Sequence, residues 1–248
     1  MNKEYILKLV VIYEKPILGN KRLYPRDIRN YIGAITKEDE PLNKIAMWHK
    51  NMQPPLIYSM PNRKSFAIYS FLPKNKIEKD LEAIKKCILK NKEIHIKGIN
   101  LKVKEVFIAD YEYTEFQNGY FERNLMTPMI IASSNQEYRR ARMLSQNNEI
   151  NHSELEKMMT DTIKESIRFQ HKDWFNQDDV EIEDLMLIYK DVKYMAFEYK
   201  KDQWYPAVRA TIISNKMLPH FLGYKSGLGF GELASMKIMD NRKKYAKS

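Results

Sequence analysis

The sequence predicts an α+β protein with helices on one face of mainly antiparallel sheets. Apolar residues alternate along several short segments, the pattern of strands half-buried in a sheet, and recur at helical spacing along longer ones. Strand-like and helix-like segments are interleaved, but the run from Ile94 to Val106 turns back on itself within a few residues. Such hairpins belong to antiparallel sheets and are foreign to a doubly wound parallel one.

The elements follow in order. Tyr5 to Tyr13 reads as a strand, with Leu7, Leu9, Val11 and Tyr13 on one face and Lys8 opposite among Ile6, Val10 and Ile12. Pro25 to Ile35 reads as a helix, with Pro25 in its first turn and Ile28, Ile32 and Ile35 along one stripe. Lys37 to Pro55 reads as a long loop with a helical turn around Leu42 to Trp48, and a loop of that length inside a domain usually serves function. Ser65 to Phe71 is the next strand. Asn75 with Glu78 has the spacing of a capping box, opening a helix with Ile77, Leu81, Ile84 and Ile88 inward. Ile94 and Ile96, then Ile99, Leu101 and Val103 after Lys97-Gly98, form the hairpin. Asn118-Gly119 marks a turn between Tyr111 and Thr127. Met129 to Ala132 is a strand, Gln136 to Leu144 a short basic helix, and Ser153 with Glu156 caps a helix carrying Leu155, Met159, Ile163 and Ile167. Three strands follow, at Leu185 to Tyr189, Lys193 to Tyr199 and Ala207 to Ile213.

Composition narrows the function. Against a typical domain of about 150 residues, the 248 residues make one large domain or two small ones. Lys and Arg number 42 against 32 Asp and Glu, a net charge of +10 that favours an anionic partner such as nucleic acid or a phosphate ligand. The single cysteine, Cys87, forms no internal disulfide and no cysteine-rich zinc site, in keeping with a reducing cytosol. No apolar stretch approaches the roughly 20 residues of a membrane span, and the start at Met1 lacks the apolar run of a signal peptide.

Glycine placement is the most specific signal. Of only 8 glycines, Gly223, Gly227, Gly229 and Gly231 fall within one short stretch. Glycine is costly in backbone entropy, so such density points to left-handed backbone or to close approach to a ligand. Backbone N–H groups in such a loop can cradle phosphate, with Lys216, Lys225 and Ser226 beside them; a tight packing turn is the plainer alternative. Neither G-x-x-x-x-G-K-[ST] nor G-x-G-x-x-G is present. The stretch Ser214-Asn215-Lys216-Met217-Leu218-Pro219, followed by Gly223 through Gly229-Phe230-Gly231, resembles the C-terminal signature of the CRISPR repeat-processing endoribonucleases of the RAMP superfamily, the Cas-six family. Tyr224-Lys225 stands where that family often has a further glycine, and Lys225 takes the place of its basic residue.

The resemblance implies tandem ferredoxin-like (RRM-like) domains, here 1–118 with the candidate catalytic loop and 119–248 with the glycine-rich loop. In one of them the loop joins a helix to a strand. It implies a prokaryotic, cytoplasmic enzyme that cuts CRISPR precursor RNA within its repeats without metal or other cofactor. Its partner is repeat RNA, with an effector complex or a homodimer as the assemblies it could join and no membrane. A guide-RNA-binding protein without catalytic activity is the alternative.

Metal-free cleavage needs a base for the 2′-hydroxyl, an acid for the leaving 5′-oxygen and a group to stabilise charge on phosphorus. Histidine suits the proton transfers. His49 lies in the long loop beside Trp48 and before Pro54-Pro55-Leu56-Ile57-Tyr58-Ser59, and the resemblance implies catalytic roles for His49 and Tyr58. Met47 replaces a second histidine often found in that branch, and the family tyrosine falls one position later, at Ser59. Lys225 joins the catalytic set as stabiliser of charge or donor to the leaving group. Lys216, His220, Gly223, Ser226, Gly227, Gly229 and Gly231 are expected to bind RNA through the loop, and Arg139, Arg140 and Arg142 as a basic cluster beside Tyr138. His95 reads as a surface residue, His152 as decoration of a helix start, and His171 as a cation near a helix end.

Overall fold

The computed structural model describes residues 4–48, 54–70, 74–113, 118–132, 152–175, 180, 182–200, 203–226 and 229–234. The chain divides into two compact units, one formed by 1–113 with 169–178 and 227–229, the other by 114–168, 179–226 and 230–248.

The first unit has strands β1 (Glu4–Tyr13), β2 (Leu56–Tyr58), β3 (Ser65–Ser70), β4 (Glu93–Ile96) and β5 (Ile99–Tyr113). Its helices are α1 (Pro25–Ile35), α2 (Glu40–Ala46) and α3 (Lys74–Lys90). The sheet order is β2-β3-β1-β5-β4, every pairing antiparallel. The strands β1, β2, β3 and β5 with α1 and α3 form a β-α-β-β-α-β ferredoxin-like unit, to which α2 and β4 are additions. The alternation in β1 has its expected result, with Leu7, Leu9, Val11 and Tyr13 all buried. Ile28 and Ile32 of α1 and Leu81, Ile84 and Ile88 of α3 close the same core, each fully buried. Lys37 to Pro55 is more ordered than a loop at its start, because Asp39 caps α2 by accepting from Leu42 N at 3.1 Å. α3 begins at Lys74, so Asn75 lies inside the first turn and not at the cap.

The Lys97-Gly98 turn has φ of 49° and 71°, left-handed at both residues as a two-residue hairpin requires. That turn ties the hairpin to α1. Lys97 Nζ lies 2.7 Å from Oδ1 of the buried Asp27, whose Oδ2 accepts from Tyr24 N at 3.0 Å at the helix start. Lys21 Nζ donates to Gly98 O at 2.9 Å.

The second unit holds β6 (Asn118–Asn124), β7 (Met129–Ile130), a long helix α4 (His152–Phe175) that continues into residues of the first unit, β8 (Leu187–Lys200) and β9 (Gln203–Lys216). β9 pairs antiparallel with β6 and β7 along one edge and with β8 along the other. β6 and β7 thus act as one strand interrupted at Leu125–Pro128. Asn118-Gly119, expected as a turn, begins β6; the pairing slips there by one residue before Phe121. The two strands expected at 185–199 are a single strand, β8. An extra residue at Asp191, φ 53°, bulges it between Lys190 and Lys193 and breaks the alternation that the sequence displays. α4 starts at His152, one residue before the expected cap. Met159, Ile163 and Ile167 on its inner face are fully buried with Val208 and Ile212 of β9. The expected basic helix at 136–144 lies outside the described residues.

The cap at Asp27 gives a direct test. Asp27→Ala removes the acceptor of Tyr24 N and the partner of Lys97, and is expected to lower stability by about 1–2 kcal/mol, read as a drop in Tm.

Candidate RNA-binding loop and catalytic loop

In the second unit the glycine stretch is a loop with apolar feet. Leu218, Phe221, Leu222, Phe230 and Leu233 are all buried. Its two limbs run antiparallel, with Leu222 N donating to Gly231 O at 3.0 Å and Leu233 N to His220 O at 2.9 Å. The limbs are sewn to the broken strand. Gly231 N donates to Pro128 O at 2.9 Å, Tyr224 N to Ile130 O at 3.1 Å and Ala234 N to Asn124 O at 2.8 Å. Tyr224 also donates its hydroxyl to Glu165 of α4. No α-helix occurs among the described residues from 217 to 226, so the loop follows β9 directly and not a helix.

Glycine is required at defined points. Gly223, Gly229 and Gly231 have φ of 81°, 76° and 71°. A Cβ on Gly231 would sit 1.7 Å from Leu222 O, and one on Gly223 2.7 Å from Ile130 O. Gly229 belongs to the first unit, where a Cβ would lie 2.3 Å from Tyr58 O. Lys225 takes the same left-handed backbone, φ 60°, without being glycine. It is exposed, and its Nζ stands 5.7 Å from the Tyr205 ring centroid. A non-glycine residue held in this conformation is strained, and here it carries an exposed cation. Ser226 beside it is buried, and Gly227 lies outside the described residues.

The other basic residues of the motif are occupied. Lys216 is buried, with Nζ bonded to Asp184 Oδ1 at 2.5 Å. Asn215 Oδ1 accepts from Met186 N, and its Nδ2 donates to Asp184 O, both at 2.8 Å. Ser214 Oγ donates to Lys216 O at 2.6 Å. Ser214-Asn215-Lys216 therefore fastens the end of β9 to the 184–186 turn. The Lys216 ammonium holds the Asp184 carboxyl below its usual range. His220 is half-buried. Its Nδ1 faces Arg123 Nη2 at 3.3 Å, its Nε2 stands 3.8 Å from Glu232 Oε1, and its ring meets Phe221 edge-on at 5.0 Å.

In the first unit the catalytic candidates lie at and beside β2. Tyr58 is buried and donates its hydroxyl to Ala46 O at 2.9 Å. Burial pushes that hydroxyl far above the usual tyrosine range, against the nearby Arg29 charge. In this arrangement Tyr58 holds the C-terminal end of α2. Arg29 Nη2 donates to Trp48 O at 2.6 Å and Ser70 Oγ to Pro55 O at 3.2 Å. The chain on either side of 49–53 is thus fixed, while His49 itself lies outside the described residues. Ser59, at the position the family tyrosine holds, is buried and accepts from Ala67 N at 3.1 Å. Arg139, Arg140 and Arg142 lie outside the described residues as well. His95 is exposed and bonded to Asn100 Oδ1 at 2.9 Å, and His171, expected near a helix end where a cation suits the dipole, is buried.

Arg123 had no sequence signal beyond being an arginine in an alternating strand. It is buried and donates Nε to Ala234 O at 2.9 Å, Nη1 to Leu218 O at 3.0 Å and Nη2 to Leu233 O at 3.5 Å. Among the described residues no group of three or more His, Cys, Asp or Glu is gathered as a metal site, and no helix is long and apolar enough to cross a membrane.

Two outcomes test this geometry. Lys225→Gly relieves the left-handed backbone and is expected to stabilise the protein by about 0.5–1 kcal/mol while weakening RNA binding, opposite signs that a packing residue would not give. The Asp184 carboxyl is held low, so its contribution to stability is present above the ordinary carboxylate pKa and lost as pH falls through the lowered value. Asp184→Asn is therefore expected to flatten the acid limb of a plot of stability against pH.

No protein-family model matches the chain, and no curated protein matches its sequence. Solved structures do match its fold. A crystal structure of Cas6b aligns at TM-score 0.65 and 18% identity, covering 93% of this chain and 99% of that one. A second Cas6b, described as a CRISPR RNA processing endoribonuclease, aligns at TM-score 0.55 and 14% identity, over 93% and 98%. A RAMP protein described as binding different RNA substrates aligns at TM-score 0.58 and 14% identity, over 95% and 100%. The chain has the fold of the Cas6 and RAMP proteins along nearly its whole length.

Proposed function

We propose that this protein is a Cas6-type endoribonuclease that cuts CRISPR precursor RNA within its repeats. The observation that carries the reading is the coincidence of two findings. The fold matches those structures over nearly the whole chain, and the glycine stretch forms a left-handed loop presenting Lys225 to solvent.

The loop and Lys225 bind the RNA backbone at its phosphates, where a compact ammonium meets the anionic oxygens. The 2′-hydroxyl of the nucleotide before the cut attacks the adjacent phosphorus. The P–O bond to the 5′-oxygen breaks, leaving a 2′,3′-cyclic phosphate on one fragment and a 5′-hydroxyl on the other. His49 serves as general base or acid in this transfer. Tyr58 contributes as a positioning residue, since its hydroxyl is bonded to Ala46 O and its burial opposes ionisation.

A second reading is supported by the likeness to the RAMP protein that binds different RNA substrates. The same fold would then hold guide RNA without cutting it.

One experiment separates the two: purified protein incubated with repeat RNA from its own genome in excess EDTA. Wild type is expected to cleave, His49→Ala and a 2′-deoxy substitution at the cut site to abolish cleavage, and Tyr58→Phe to slow it by about tenfold or less. Tight binding without cleavage by the wild type would instead identify a binder.

A further inference from the structure

We propose that Arg123 is the positioning residue of the glycine loop, setting the loop's shape for RNA without itself touching RNA. The inference rests on the reading of that loop as an RNA-phosphate site. Arg123 stands on β6, outside the loop, yet its guanidinium reaches both limbs. Nη1 donates to Leu218 O on the outgoing limb at 3.0 Å. Nε donates to Ala234 O on the returning limb at 2.9 Å, and Nη2 to Leu233 O at 3.5 Å. Nη2 also lies 3.3 Å from His220 Nδ1.

Arginine is always charged and only donates, in a rigid planar fork. One buried group thus satisfies carbonyls from two limbs that are far apart in sequence. Lysine, with a single ammonium on a flexible stem, cannot span the same acceptors in one geometry. The donor character of Arg123 also fixes His220. Its Nδ1 must accept, so a neutral His220 carries its proton on Nε2, toward Glu232 Oε1 at 3.8 Å. Glu232 is held in turn by its own backbone, with N donating to Thr127 Oγ1 at 2.8 Å and O accepting from Met126 N at 2.8 Å. Arg123, His220 and Glu232 therefore close the base of the loop. Lys225, in left-handed backbone and exposed, lies further along the outgoing limb. A buried cation whose hydrogen bonds go to the feet of a loop acts on the ligand by fixing where the apex sits.

The test compares wild type with Arg123→Gln and Arg123→Lys in three measurements. The first is amide hydrogen exchange across 219–233 without RNA. The second is affinity for repeat RNA. The third is the slope of that affinity against salt concentration. Faster exchange in the loop is expected, with RNA affinity lowered about tenfold or more. The salt slope should fall by about 0.7 for each phosphate the loop no longer holds. A general loss of stability, assayed well below Tm, would leave that slope unchanged. Arg123→Lys keeps the charge and most of the volume, so it decides the question if Arg123→Gln does not fold; partial recovery is expected, because the ammonium reaches only one limb.

Unchanged loop exchange with unchanged affinity would overturn the proposal. So would faster exchange with wild-type affinity and slope, which would leave the RNA reading standing. Failure of the wild type itself to bind repeat RNA would overturn the RNA reading and with it this role, while the exchange data would still report whether Arg123 holds the loop.

Discussion

At Gly231 the chain passes so close to Leu222 that no side chain fits, since a Cβ would stand 1.7 Å from Leu222 O. Much of the second unit's candidate site depends on that crossing. It lets the returning limb pair with the outgoing one and buries Phe230 and Leu233 as apolar feet. It also brings Leu233 O and Ala234 O to within reach of the guanidinium that holds Leu218 O. Lys225, a non-glycine residue in left-handed backbone, can then be held strained because the base is over-determined. A loop fixed at its feet and exposed at Lys225 can present an ammonium to an anion with little further ordering cost.

The first unit follows the same logic with different residues. Tyr58, Arg29 and Ser70 each donate to a backbone carbonyl on one side or the other of 49–53. None of these carbonyls lies in a regular strand pair, so side chains take the part that ladder hydrogen bonds play elsewhere. The segment carrying His49 therefore leaves and rejoins a rigid scaffold. This accounts for the burial of Tyr58, whose hydroxyl does more for the placement of the loop stem than an exposed phenol could.

Much of the fold was legible in the sequence, for a physical reason: the first unit follows periodicity closely. The stripe of Ile28 and Ile32 and the alternation of Leu7, Leu9, Val11 and Tyr13 were selected for one shared core, and their burial repeats their spacing. β8 reads as two strands in the sequence because the bulge at Asp191 shifts the alternation by one, which composition cannot distinguish from a turn. Asn75 and Ser153 carried capping chemistry, yet their helices start a residue earlier, since which residue caps depends on where the preceding chain enters. The glycine loop was legible because left-handed backbone writes itself as glycine. Its supporting residues were not. Arg123 acts across more than a hundred positions, and Lys216, a phosphate ligand by its sequence context, has its partner in Asp184, 32 residues away. Long-range polar pairs leave no periodic trace in a single sequence.

The central claim is that the ribose hydroxyl, and not water, attacks the phosphorus. Mass spectrometry of the two RNA fragments tests it most directly, because each route leaves its own ends. The account predicts a 2′,3′-cyclic phosphate on the upstream fragment and a 5′-hydroxyl on the downstream one. A 3′-hydroxyl paired with a 5′-phosphate would mean that water attacked and the 3′-oxygen left, and would contradict the mechanism.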